Sequence, residues 1–146
     1  MGSLTEAIAD RQRRRTIVDD CVTLIEAEVA DKRGLGGVAI KAAFKAVGKV
    51  RPGMIGMAMD GLLDDFAVQL DTYWVDCNAT DEAPRAYFSR RGRDVANSLL
   101  GVTDARARQN NNRVLTKTYR SLRPKAIDHI CAAMPRFADL LMTHAS

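Results

Sequence analysis

Asp60, Asp64 and Asp71 fall within about 40° of one another when residues are advanced by 100° each around a helix, so three carboxylates share one face. A face of this kind begins a site for a divalent cation or a cationic partner, because hard cations collect several oxygen ligands. No matching carboxylates from a second helix complete a cage, and a solvated acidic face is the plainer reading. Arg113, Lys117 and Arg120 gather in the same way, with Arg123 and Lys125 following and Arg90, Arg91, Arg93, Arg106 and Arg108 upstream. Such a row neutralises phosphates and gives a strongly salt-dependent affinity. Aromatic residues make up only 5% of the chain and none is interleaved with these arginines, which argues against single-strand stacking.

Other chemistries find less support. A phosphate-cradling loop needs glycine where Ala43 stands and serine or threonine where Val50 follows Lys49. His129 and Cys131 project roughly 160° apart on a helix, so they cannot share a metal, and the spacing predicts an exposed His129 and a buried Cys131. Nucleophilic catalysis has only His129 and His144 to draw on as bases, and His144 lies near a chain end expected to fray. Glu28 falls in the middle of an apolar stripe; it either titrates as a buried acid or pairs with Lys32 one turn on. A helix-turn-helix centred on Gly101 is disfavoured because Asn97 and Asn110 occupy positions that ought to pack. No catalytic residue, cofactor or metal is assigned.

The elements that carry these groups are helical throughout, since apolar residues recur at helical spacing and no alternating run is bounded by hairpin chemistry. The pattern predicts a helix over 11–32, a loop at Gly34, Gly36 and Gly37, and a second helix over 38–50 with Lys41, Lys45 and Lys49 facing outward. Pro52 is expected to end that helix and open the next, which runs to about Asp76 as the central packing element. A short helix around Ala86 to Phe88 follows, then helices over 94–108, 113–122, 124–133 and 135–144. The expected fold is all-α: a compact bundle of about seven to eight helices forming one domain over residues 1–146.

The chain also matches itself at an offset of about 72 residues, estimated by sliding the sequence along itself. KAVGKVRPGMI from Lys45 lies over KTYRSLRPKAI from Lys117, pairing Arg51 with Arg123 and Pro52 with Pro124; Asp31 likewise meets Asp104. This predicts two tandem repeats related by a pseudo-twofold axis, one over about 4–83 and one over about 84–146. Met134 and Pro135 interrupt the second copy's last helix, which should kink or split there. Residues present in both copies read as structural, so Asp31 with Arg51 and Asp104 with Arg123 are expected to tie a loop to an Arg-Pro junction.

With 146 residues, 47% hydrophobic and 27% charged, the chain can build a real core. Apolar stretches break well before the ~18 residues of a membrane span. Three widely spaced cysteines, Cys21, Cys77 and Cys131, suit free thiols in a reducing compartment, so a cytoplasmic setting is expected. The net charge of +4 divides unequally: residues 1–84 hold 10 basic and 14 acidic side chains, and residues 85–146 hold 12 and 4. The run EAEVADKRGLGGVAIKAAFKAVGKVRPGMIGMAMDGLLDDF, together with VTDARA and LRPKAIDHI, resembles a family of small bacterial, largely actinobacterial, proteins of unknown function. That resemblance implies a compact helical protein and carries over no activity, cofactor or partner. The expectation is a non-enzymatic protein acting by self-association, as a homodimer, or by binding another protein. The alternatives are a non-specific nucleic-acid-binding accessory using the basic second half, and a carrier of small hydrophobic molecules in a cavity lined by Met54, Met57, Met59 and Phe66.

Overall fold

The computed structural model describes residues 2–145, and among them are nine α-helices and no strand. They are α1 (Leu4–Ala9), α2 (Arg11–Asp31), α3 (Gly34–Val50), α4 (Met54–Asn78), α5 (Pro84–Arg90), α6 (Gly92–Gln109), α7 (Arg113–Leu122), α8 (Ala126–Ala132) and α9 (Met134–His144), with a 3-10 turn at Arg123–Lys125 before α8.

Short polar side chains start several of these helices by accepting the amides that a first turn leaves free. Ser3 accepts the Glu6 N–H at 3.0 Å, Asp10 the Arg13 N–H at 3.1 Å and Asn112 the Leu115 N–H at 3.1 Å. Gly34, Gly36 and Gly37 are not a loop: they form the first turn of α3, and only Lys32 and Arg33 separate it from α2. So tight an entry needs glycine at position 37, where an added Cβ would stand 2.7 Å from the Lys32 carbonyl carbon. Pro52 does not open a helix either. It sits in a turn with Gly53, whose φ of 75° is left-handed and reverses the chain before Met54. Pro124 lies in the 3-10 turn, and the chain breaks at Ala133 so that Pro135 falls in the first turn of α9, where its missing amide costs nothing.

α4 is the central element and packs on α1, α2, α3 and α6. It contributes Leu63, Ala67, Leu70, Trp74 and Cys77 to a core completed by Leu4 and Ile8 of α1, Ile17 of α2, Tyr87 and Phe88 of α5, Val95 and Leu99 of α6, and Met134 and Leu141 of α9. Its first turns are less buried than the apolar pattern suggests, for Met57 is 46% exposed. α3 and α7 pack on each other beside this core and supply none of its residues. Gly37 and Ile40 are buried in α3, and α7 has no buried residue at all. α6 runs unbroken through Gly101, leaving no turn for a helix-turn-helix there.

Candidate functional site

The acidic face of α4 is spent on holding the fold together. Arg14 of α2 reaches Asp60 at 2.8 Å and Asp64 at 2.9 Å, and also donates to the Asp60 carbonyl at 2.7 Å. The Arg14 guanidinium holds the Asp64 carboxyl below its usual range. Asp71 accepts the Leu4 N–H at 2.7 Å and the Thr5 N–H at 2.9 Å, fixing the first turn of α1 against α4. Asp65 pairs with Arg106 at 3.2 Å. The sequence placed Asp60, Asp64 and Asp71 on one face correctly, but no open acidic site results. No group of three or more His, Cys, Asp or Glu side chains among the described residues is arranged to hold a metal ion.

The two expected tethers part company. Asp104 takes Arg123 at 2.9 and 3.1 Å and accepts the Tyr119 hydroxyl. Arg123, and then Tyr119, hold the Asp104 carboxyl low, while burial and then Asp104 push the Tyr119 phenol up. Asp31 instead pairs with Arg136 of α9 at 3.0 Å, and Arg51 is exposed without an ion pair to any described residue. Arg136 of α9 reaches Asp31 and Glu28 together, so the end of α2 is tied to α9 rather than to the Arg51 junction.

Glu28 is enclosed, its side chain only 13% exposed, and it meets Arg136 as well as Lys32 at 3.7 Å. It is a structural anchor between α2 and α9. His129 and Cys131 are both half-buried, correcting the expectation that one faces solvent and the other the core; burial, and then Lys32, push the His129 pKa down. His144 is held in α9, 2.5 Å from Asp20, rather than frayed. The cysteines are free, and burial pushes the Cys21 thiol up to about 12 and the Cys77 thiol upward too. A second arginine hub escaped the sequence reading: Arg91 bridges Asp76 at 3.2 Å and Asp94 at 2.9 Å, while its guanidinium stacks 5.4 Å from the centre of the Tyr73 ring.

What stays uncommitted is the surface of α3 and α7. Between Lys32 and Met59 there are six basic and no acidic side chains, and between Ala105 and Ile127 seven basic and none acidic; everything else in the chain holds nine basic and eighteen acidic. Because α3 packs on α7, these two acid-free stretches come together from opposite halves of the sequence. Lys41, Lys45 and Lys49 of α3, and Arg113, Lys117 and Arg120 of α7, are exposed and make no ion pair with any described residue. Leu35 and Val38 of α3 and Val114 of α7 are exposed beside them, at 92%, 67% and 42%. The expected division into an acidic first half and a basic second half is therefore not the physical one. The signal in the sequence was the absence of Asp and Glu from two separated stretches.

Beside α7 lies an open cleft of about 430 Å³ between α4 and α6, with Ala58, Gly61, Leu62, Thr103 and Tyr119 in its lining. It joins the two halves of the chain, as a carrier's cavity was expected to do, but Met54, Met57, Met59 and Phe66 do not line it.

An all-helical bundle with a spent acidic face and an unneutralised basic one is the class of protein the structure defines, and no described helix is long and apolar enough to cross a membrane. The chain belongs to the family described as "Family of unknown function (DUF6918)", whose model matches residues 4–145. No curated protein and no solved structure matches it.

Proposed function

We propose that the protein works by binding rather than by catalysis, and that its working surface is the acid-free face of α3 and α7, which takes the phosphate backbone of nucleic acid without regard to sequence. The observation that carries this reading is the contrast in charge use: the carboxylates of α4 are tied internally by Arg14, Arg106 and backbone amides, whereas six cations on α3 and α7 have no ion pair among the described residues. Head-to-tail self-association through opposite charges is less well supported, because the acidic surface it would use is already neutralised. Burial pushes the Cys21 and Cys77 thiols away from the reactive thiolate form, as suits structural cysteines, and three free cysteines suit the cytoplasm.

The same reading takes the chain as a tandem duplication. Support comes from the repeated order of a short helix, a long helix, a third helix, a break and a final segment, at α1–α4 and again at α5–α9. α1 packs on α4 as α5 packs on α9, and α2 packs on α4 as α6 packs on α8. The duplication brings α3 and its counterpart α7 side by side, which doubles a basic row that each half carries once.

Fluorescence anisotropy with a random-sequence DNA duplex tests the proposal. Binding at micromolar protein in low salt is expected, with log K falling against log salt by about 0.9 for each phosphate neutralised. Replacing Lys45, Lys49, Lys117 and Arg120 by glutamine should flatten that slope and weaken duplexes of every sequence equally. No binding in low salt overturns it, and a dimer that light scattering shows dissociating with salt moves the role to self-association.

A further inference from the structure

We infer that the cleft between α4, α6 and α7 is a binding site for a small carboxylate with an apolar body. Its volume of about 430 Å³ lies in the range of ligand sites. Ala58, Gly61 and Leu62 on α4 and Ala107 on α6 give it an apolar floor, and Gln109 and Asn110 add polar groups, while the Tyr119 hydroxyl is already given to Asp104. Gly61 is telling. It lies inside a helix with an ordinary helical backbone, where alanine is the better residue, and a Cβ built on it would meet nothing within 4 Å. Gly61 leaves that part of the floor bare of side chain.

The charge of the occupant follows from the lining. Arg106 is its one charged residue among the described lining residues, and no carboxylate lines it. Arg106 holds Asp65 through a single 3.2 Å contact with both side chains about half exposed, so an incoming carboxylate can replace Asp65 at little cost. The other carboxylate nearby, Asp104, is occupied by Arg123 and Tyr119 and does not repel an anion freely. The α6 end and α7 wall belong to the acid-free stretch after Asp104, which adds further positive potential at the mouth. This inference is independent of nucleic-acid binding, although the cleft adjoins that face.

Octanoate, with 1-octanol as its neutral counterpart, is a suitable probe by amide chemical-shift titration of the whole protein. Octanoate should give saturable shifts confined to residues 58–62 and 103–119, with a dissociation constant on the order of 0.1–1 mM. Gly61→Leu should weaken it by at least about tenfold by filling the floor. Far-UV circular dichroism and an unchanged urea midpoint show that this variant is folded, and Gly61→Ser provides a smaller filler. Arg106→Gln should weaken octanoate several-fold, roughly as expected for a half-exposed charge contact, and leave octanol unchanged. Shifts that fail to saturate by about 5 mM, or binding that survives Gly61→Leu in a folded protein, overturn the site. Equal loss of octanoate and octanol in Arg106→Gln overturns the assignment of the anion. None of these results depends on whether DNA binds.

Discussion

The body of the bundle and the α3–α7 layer beside it treat charge and apolar surface in opposite ways. In the body, Phe88, Tyr87, Met134 and Leu141 are fully enclosed and arginines clamp carboxylates between helices, as Arg14, Arg91 and Arg136 do. In the layer, little is buried, Leu35 and Val38 face solvent, and lysines stand a turn apart with no acid to meet them. The body is built for cohesion, and the layer's lysines and arginines stay outside the ion pairs of the described residues. A region that contributes no core residue is free to carry a repulsive charge density that would weaken a core element.

The sharpest way to break the comparison is through the core. Phe88→Ala should cost about 3–5 kcal/mol, whereas Ile40→Ala in the layer should cost about 2 kcal/mol or less; urea unfolding of both variants measures the gap. Equal costs would show that the layer is as integral as the body.

The next effect is smaller and compares the two halves. Asp104→Asn should destabilise by about 1 kcal/mol, a figure already reduced for the partial exposure of the pair, while Arg51→Gln should stay within about 0.5 kcal/mol. A matching loss for Arg51→Gln would reveal a partner for that arginine.

Acid should act where arginine holds a carboxylate, in the body and at the Asp104 junction with α7. Asp64, Asp104 and Asp139 have folded pKa values below the ordinary carboxylate value, because arginine favours their charged forms. Their contribution is fully present above the unfolded value of about 3.9 and is lost as pH falls through the folded values. His129 has a folded pKa depressed by burial, so its contribution is present above about 6.5 and fades as pH falls through the folded value. The urea midpoint should therefore ease down below pH 6.5 and drop again below about pH 4, and His129→Gln should remove the first step.

Smallest of all is the effect of Lys45, Lys49 and Lys117 to glutamine on stability, expected within about 0.5 kcal/mol or slightly favourable as self-repulsion falls. The same variant should lose most of its DNA affinity. A large loss of stability would mean that these lysines serve the fold.

The sequence by itself determined the all-helical class, most helix spans, a break in the chain just before Pro135 and the outward setting of Lys41, Lys45 and Lys49, because these follow from local periodicity and from proline's missing amide. It also put Asp60, Asp64 and Asp71 on one face. Whether that face is open was beyond it: Arg14 is 46 residues from Asp60, and Leu4 is 67 from Asp71. The turn at Pro52 misled in the same way, because Gly53 can continue a helix or take the left-handed backbone that it has here. Tertiary structure alone decided that α3 lies on α7 and so brought two acid-free stretches together. Periodicity is set within a few residues, but charge compensation is set by whichever side chain arrives from elsewhere in the chain, and only the packed helices specify which one does.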